Sequence, residues 1–260
     1  MSKLKQDLSK LLRGDVQDSA RIRDEFSHDA SMFEIRPELV VSPKDSEDVK
    51  KLVAYVSKNK AKNPGLAISA RSAGTCMSGG SLSESIVLNF KKYFNKIESV
   101  TPTSAKVQPG VYYRDFEVET LRQGALLPSY PASKDLCGVV ANNSGGEKSL
   151  QYGKTEDYVT SLQVVFADGN EYTVKPLTKP ELNKKMKQKD FEGKVYREVF
   201  KLVDENYQAI KAAKPNVSKD STGYHLWNVW DRETGIFDLT QVIVGSQGTM
   251  GIVTDIEFKL

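Results

Sequence analysis

Cysteine and histidine are scarce in this sequence of 260 residues. It contains two cysteines, Cys76 and Cys137, and two histidines, His28 and His225. Two cysteines in a chain of this size do not make the disulfide framework of a small secreted protein, so we expect free thiols and a cytoplasmic protein. The two histidines are isolated and no His-Glu-x-x-His motif occurs. The sequence therefore predicts no metal site.

Strong net charge and long apolar segments are also missing. Charged residues make up 27% of the chain, but the formal net charge is only +3. A net charge this small does not indicate the basic surface that binds nucleic acid. The lysines grouped between residues 178 and 214 are typical of a solvated helix face. No apolar run approaches the ~20 residues of a membrane helix. The composition describes a globular chain with no nucleic-acid partner and no transmembrane segment expected.

Glycine-rich stretches are what the sequence does have. The first, residues 71–80, reads Arg-Ser-Ala-Gly-Thr-Cys-Met-Ser-Gly-Gly and follows the short apolar run 66–70. Glycine permits positive φ and lets an anion approach backbone N–H groups closely, so this stretch predicts a phosphate cradle. Gly80 stands where a P-loop requires lysine, and no Gly-x-Gly-x-x-Gly fingerprint occurs. An NTPase and a doubly wound dinucleotide-binding sheet are therefore both disfavoured.

Two further glycine clusters follow. The second covers residues 137–146 and leads into Tyr152-Gly153, and the third covers residues 245–251. Together with Gly153, the three clusters hold ten of the eighteen glycines. Because strand-like apolar residues flank each cluster, the glycines indicate specific backbone geometry rather than disorder.

These motifs, taken in order, resemble the FAD-binding domain of the vanillyl-alcohol oxidase and p-cresol methylhydroxylase superfamily. Within it, the D-lactate dehydrogenase and glycolate oxidase branch of FAD-linked oxidases is the most similar. The resemblance extends from about residue 25 to the last residue. It is carried by residues 71–80, 131–133, 143–146, 152–159 and 245–252.

The resemblance implies FAD as the cofactor and assigns it three sets of contacts. The diphosphate and ribityl groups would be bound by Arg71, Ser72, Ala73, Gly74, Thr75, Ser78 and Gly79. The flavin and the other side of the diphosphate would be surrounded by Pro131, Ser133, Gly138, Asn142, Asn143, Ser144, Gly146, Tyr152 and Gly153. The adenine side would be contacted by Ile252 and Val253.

Four positions bear on how the flavin is held. Covalent members of the superfamily attach it through a histidine just after the paired small residues of the first loop, where this chain has Thr75. The resemblance therefore implies noncovalent FAD. Cys76 and Cys137 are the candidates for an alternative thioether link, although packing is the favoured role for both. Cys137 replaces the first glycine of a usual pair, and Glu156 stands where many relatives have arginine, which changes the charge expected near the flavin.

Hydrophobic periodicity predicts an α+β fold that begins with an N-terminal helical arm over residues 1–36. The resemblance implies that residues 37–260 are the FAD-binding domain. Residues 37–96 form the first subdomain. Its predicted strands at 39–41, 66–70 and 85–90 and its helix at 42–59 suit a small parallel α/β unit.

Residues 97–260 predict a larger subdomain with an antiparallel sheet flanked by helices. Its elements are a strand at 104–108, a helix at 112–123, a hairpin over 157–174, a helical insertion at 178–214, a buried strand at 241–244 and a final alternating strand from 252. The final strand runs to Leu260 with no polar tail. We therefore expect a longer protein whose substrate-covering cap domain is absent from this chain.

The function implied by the resemblance is oxidation of a D-2-hydroxy acid, of the D-lactate or glycolate type, by hydride transfer to noncovalent FAD. The electron acceptor is not identified, and the residues that bind the acid mostly belong to the absent cap. We therefore expect the chain to bind FAD without efficient turnover, and no catalytic residue is assigned. The alternatives are the FAD subunit of a molybdenum hydroxylase-like complex and a flavin-free assembly module.

Overall fold

A computed structural model of the chain describes residues 2–128, 135–146, 148–217, 220–221 and 223–260. The strands of this part are β1 (Asp15–Gln17), β2 (Leu39–Ser42), β3 (Ile68–Arg71), β4 (Ile86–Asn89), β5 (Ile97–Val100), β6 (Ser104–Val107), β7 (Val159–Val165), β8 (Glu171–Val174), β9 (Trp230–Asp231), β10 (Ile236–Phe237) and β11 (Ile252–Lys259). The helices are α1 (Lys3–Leu11), α2 (Ala20–Glu25), α3 (Ser46–Asn59), α4 (Tyr113–Arg122), α5 (Leu136–Ala141), α6 (Ser149–Tyr152), α7 (Lys179–Met186), α8 (Phe191–Glu205), α9 (Tyr207–Ala212) and α10 (Thr240–Ile243).

The first sheet has the order β1-β2-β4-β3. Strands β2 and β3 both pair in parallel with β4, which confirms the predicted parallel α/β unit. Strand β1 pairs antiparallel with β2 at the edge and was missed, because three residues carry too little periodicity to signal a strand. Since the parallel strands run in one direction, their carboxyl ends lie at one edge of the sheet, and the first glycine cluster follows β3 there.

Helix α3 shows how the local sequence builds this unit. The Asp45 side chain accepts from the Asp48 backbone N–H and caps the helix, and Val49, Leu52 and Val53 recur at helical spacing and are buried. They pack with Leu8 of α1 in the core of the first sheet. The N-terminal arm is therefore packed into this core, and the boundary at residue 36 stays a proposal.

The second sheet is antiparallel, in the order β5-β6-β11-β7-β8, which confirms the predicted antiparallel subdomain. The last strand of the chain, β11, is its centre and pairs with both β6 and β7. A register shift between Val253 and Asp255 breaks the simple alternation expected for this strand. Val253 is consequently buried in the main core, where a strict period of two would place it on the polar face.

The predicted strand at 241–244 is wrong, because the chain forms helix α10 there. The Asp238 carboxylate accepts hydrogen bonds from the Thr240 backbone N–H at 3.0 Å and from its hydroxyl, which starts the turn. A short apolar run does not distinguish a buried strand from a buried helical turn. Burial was predicted correctly, since Val242 and Ile243 both belong to the main core.

The insertion at 178–214 is helical as predicted and consists of α7, α8 and α9. Helix α8 buries Tyr196 and Val203 against the main core, and its Glu192 carboxylate pairs with Lys185 of α7. No helix of the described residues is long and apolar enough to cross a membrane.

Candidate functional site

The three glycine clusters lie on one cleft with a volume of about 750 Å³. The first cluster enters the cleft after β3, the second through α5 and the turn that follows it, and the third between α10 and β11. The residues before α10 add a further wall through Ser221, Gly223 and Tyr224. Segments that are far apart in the sequence therefore converge, as the resemblance implied.

Unused backbone donors distinguish the first cluster. Within the described residues, the backbone N–H groups of residues 74–79 donate no hydrogen bond to the protein. Gly74 and Gly79 adopt positive φ values of 68° and 77°. A loop of this kind presents successive N–H groups to an anion, and a diphosphate is the ligand that such donors suit.

The Arg71 guanidinium contacts both the N-terminal arm and the first loop. It donates to the Phe26 carbonyl oxygen at 3.3 Å and lies 5.1 Å from the centre of the Phe26 ring. A Cβ at Gly74 would lie 2.6 Å from an Arg71 nitrogen, so the two residues pack in direct contact. Burial lowers the pKa of the guanidinium, opposed by Asp29 and Glu25. The Arg71 side chain thus supports the loop from the side of the N-terminal arm.

Asp135 connects the first two clusters and was missed in the sequence. One of its carboxylate oxygens accepts from the Ala73 backbone N–H at 2.8 Å, and the other accepts from the Gly138 N–H at 2.6 Å. The residue is buried and caps α5. An aspartate three residues before Gly138 is an ordinary N-cap signal, but the contact with Ala73 follows only from the tertiary fold.

The third cluster is bonded to the second through the backbone. The Gly245 N–H donates to Val140 O at 2.9 Å, and the Gln247 N–H donates to Ala141 O at 2.9 Å. The Gln247 side chain also donates to Asn142 Oδ1 at 3.2 Å. These bonds hold the two clusters as adjoining walls of the cleft.

The residues predicted to bind FAD fall into three groups. Those that line the cleft are Arg71, Ser72, Gly74, Thr75, Ser78, Gly138, Asn142, Ile252 and Val253. Those that lie outside its lining are Ala73, Gly79, Asn143, Ser144, Gly146, Tyr152 and Gly153. Pro131 and Ser133 lie outside the described residues.

Several residues outside the lining support it. Asn143 is buried beneath the cleft at a positive φ of 46°. A Cβ at Gly79 would lie 3.0 Å from the Phe33 ring, so this glycine permits close packing of the N-terminal arm. Tyr152, in contrast, is exposed beside the second cluster, where its carbonyl oxygen accepts from the Tyr158 hydroxyl at 2.5 Å.

Both cysteines line the cleft as free thiols. The Cys76 sulfur accepts from the Gly80 backbone N–H at 3.3 Å, within the first loop. Burial, with the nearby Asp135 charge, raises the pKa of the Cys137 thiol, so this sulfur stays protonated and is a poor nucleophile. This favours packing over a thioether link at Cys137.

Glu156 and His225 form a buried contact that sequence reasoning missed. Glu156 Oε2 lies 2.5 Å from His225 Nδ1, and Lys154 Nζ lies 3.1 Å from Glu156 Oε1. Residues 156 and 225 are 69 positions apart, so no local pattern links them. Glu156 was noted only for its unusual charge, and His225 was treated as isolated.

This arrangement defines a candidate nucleotide-binding cleft, and comparison with known families agrees. The FAD-binding domain family matches residues 37–175, more than half of the chain. The chain therefore belongs to this family, and FAD is its cofactor. The predicted recognition, fold class and cofactor are confirmed.

Curated relatives extend over nearly the whole chain. The chain is 27% identical over 247 residues to the D-2-hydroxyglutarate dehydrogenase of Escherichia coli, covering 93% of this chain and 24% of that protein. It is 28% identical to the glycolate oxidase subunit GlcD of Bacillus subtilis, covering 90% of this chain and 39% of that one. The D-lactate dehydrogenase of Anaerostipes hadrus is also 28% identical, with 92% and 40% covered. The chain thus spans well under half the length of these relatives.

Solved structures share the fold. An alkyldihydroxyacetonephosphate synthase superposes with a TM-score of 0.64 at 20% identity, over 98% of this chain and 39% of that one. The 6-hydroxy-D-nicotine oxidase of Arthrobacter nicotinovorans superposes with a TM-score of 0.61 at 20% identity, over 95% and 42%. At this identity the likeness shows the fold alone.

Proposed function

We propose that the three-cluster cleft holds one FAD noncovalently and that the protein to which this domain belongs oxidises a D-2-hydroxy acid. The observation that carries the proposal is the convergence of three separated glycine clusters on one cleft of about 750 Å³. Its first wall presents the N–H groups of residues 74–79, which donate to no other residue in the described part of the chain. That donor set fits the diphosphate of FAD.

Each wall has a separate task in this proposal. The N–H groups of the first loop bind the diphosphate, with Thr75 and Ser78 at its edge. The walls at Gly138, Asn142 and Gly245 to Thr249 exclude water from the ring system, and Ile252 and Val253 contact the adenine side. When bound, FAD supplies the hydride acceptor of the reaction, and the chain supplies binding and orientation.

The noncovalent attachment is supported by the side chains in the cleft. Thr75 has no nucleophilic nitrogen, and Cys137 is held as a thiol. FAD should therefore leave the protein on unfolding. The substrate class comes from the curated relatives, which are a D-2-hydroxyglutarate dehydrogenase, a glycolate oxidase subunit and a D-lactate dehydrogenase.

The proposal also assigns FAD binding and substrate binding to different domains of the longer protein. Two subdomains enclose FAD in this proposal, residues 37–96 and residues 97–260. The helical arm at 1–36 precedes the first subdomain, and the helical insertion at 178–214 belongs to the second. A cap domain outside this chain would bind the acid. On this view the chain binds FAD with little or no turnover of D-lactate or glycolate.

Purified protein tests this directly. We expect flavin absorption bands in the purified protein, or a rise in melting temperature on adding FAD to apoprotein. After acid precipitation, the flavin should appear in the supernatant. A colourless protein with no thermal shift on adding FAD would refute the proposal and favour a flavin-free assembly module, whereas flavin retained in the pellet would refute noncovalent attachment.

A further inference from the structure

A buried pair of ionisable side chains lies behind the cleft. The side chains of Glu156 and His225 are 8% and 3% exposed and are joined by the 2.5 Å contact between Oε2 and Nδ1. Neither residue lines the cleft. We propose that Glu156 and His225 are positioning residues for FAD. Together they fix the distance between two walls of the cleft: the Asn142 wall, which belongs to the second glycine cluster, and the Tyr224 wall, which consists of Ser221, Gly223 and Tyr224. This inference rests on FAD binding as proposed above.

Glu156 is tied to the second glycine cluster by a reciprocal clamp. The Asn143 side chain donates to Glu156 Oε2 at 2.6 Å, and the Glu156 backbone N–H donates to Asn143 Oδ1 at 3.1 Å. Asn143 needs such support, because a non-glycine residue at a φ of 46° is held only when its surroundings determine it. The neighbouring Asn142 lines the cleft, so a shift of Asn143 caused by loss of its hydrogen bonds to Glu156 would also shift this wall of the cleft.

His225 is tied to the Tyr224 wall. It directly follows Tyr224, which lines the cleft and whose hydroxyl lies 2.7 Å from the Thr249 hydroxyl of the third cluster. The imidazole stacks on the Trp227 ring, with 4.9 Å between ring centres. Ser221 of the same wall donates to the Asn143 carbonyl oxygen at 3.2 Å. The Glu156–His225 contact therefore joins the two walls.

The charges around the pair favour this contact. Lys154 Nζ lies 3.1 Å from Glu156 Oε1, and Asp220 Oδ2 lies 3.6 Å from His225 Nε2. The Nδ1–H group donates to the carboxylate in the imidazolium form and in one neutral tautomer. The connection between the walls therefore does not require a charged imidazole.

A buried ion pair seldom stabilises a folded core more than well-packed apolar residues of similar volume do. The chain offers a matched comparison. Glu192 is equally buried and pairs with Lys185, but both residues lie in the helical insertion and neither lines the cleft. Loss of the Glu192 pair should affect stability alone, whereas loss of the Glu156 pair should also affect FAD.

The test compares the wild-type chain with Glu156→Gln, His225→Leu, His225→Asn and the control Glu192→Gln. FAD dissociation constants are measured by calorimetry and unfolding by urea titration. Glu156→Gln and His225→Leu should each weaken FAD binding by about tenfold, the size of one charge-assisted hydrogen bond. His225→Asn places an N–H donor near the position of Nδ1 and should restore the affinity to within about threefold. Glu192→Gln should leave the affinity unchanged.

The visible circular dichroism of bound FAD provides a second readout, which should change in Glu156→Gln and not in Glu192→Gln. Unchanged FAD affinity in Glu156→Gln and His225→Leu would overturn the positioning role. So would an equal loss of affinity in Glu192→Gln, since the effect would then be general destabilisation. If His225→Leu does not fold, the difference between Glu156→Gln and Glu192→Gln decides. Absence of FAD binding by the wild-type chain would refute the proposed function itself, and the positioning role with it.

Discussion

Asp135→Ala is expected to destabilise the protein and weaken FAD binding, because Asp135 holds the first glycine cluster against the second. Its two carboxylate oxygens accept from the Ala73 and Gly138 backbone N–H groups at 2.8 and 2.6 Å. Asp135 is 2% exposed, so alanine leaves both donors without an acceptor in a largely dry environment.

The magnitude follows from the two orphaned donors. A buried donor left unsatisfied costs about 1–3 kcal/mol, and two such donors cost about 2–6 kcal/mol. The cleft admits water to one side of the site, so we expect the lower half of this range, about 3 kcal/mol. This is a large share of a total stability of about 5–15 kcal/mol. Asp135→Asn retains an oxygen for one donor and should lose roughly half as much.

Urea denaturation at neutral pH measures this loss, with Asp190→Ala as the matched control. Asp190 also caps a helix, through the Gly193 N–H at 2.9 Å, but Asp190 does not line the cleft. That variant should lose only about 1 kcal/mol, the value of an N-cap, and should bind FAD like wild type. Equal losses of stability in Asp135→Ala and Asp190→Ala would refute the bridging role of Asp135, and unchanged FAD affinity in Asp135→Ala would refute its importance for the cleft.

Two further predictions concern charge and backbone strain. Burial and then the Glu98 charge raise the pKa of Asp255 from 3.8 to about 7, opposed by Lys106. The folded state therefore binds more protons than the unfolded state between these two pKa values, and the free energy of unfolding falls as pH rises from about 4 to 7. Asp255→Asn should be more stable than wild type by about 2 kcal/mol at pH ~8 but not at pH ~4. Urea titrations at the two pH values measure this difference. No pH-dependent difference would contradict this assignment. Gly245→Ala should lower stability by about 1 kcal/mol and also weaken FAD binding, because φ is +85° and the new Cβ would lie 3.2 Å from Asn143 Cβ. In Gly235→Ala φ is +71° and the Cβ meets open space, so calorimetry should find wild-type FAD affinity there, and equal affinities in the two variants would refute the steric argument.

Local patterns in the sequence were sufficient for much of the fold. The 3.6-residue period of Val49, Leu52 and Val53 predicted α3, and the hairpin turn at Asp168 and Gly169 predicted the pairing of β7 with β8. Glycine positions and motif order carried the resemblance to the FAD-binding family, which the matching of residues 37–175 confirmed. These features depend on neighbours within a few positions, so a single sequence reports them.

Other features needed the assembled molecule. The pairing of β1 with β2 adds the N-terminal arm to the first sheet, and the helical form of α10 depends on the Asp238 cap and surrounding core. The contacts of Asp135 with Ala73 and of Glu156 with His225 join residues 62 and 69 positions apart. The sequence by itself determined which segments carry glycine and apolar periodicity, and hence the family. Only the tertiary structure decided which carboxylates meet which donors, because that choice depends on how two sheets pack and not on the spacing of residues along the chain.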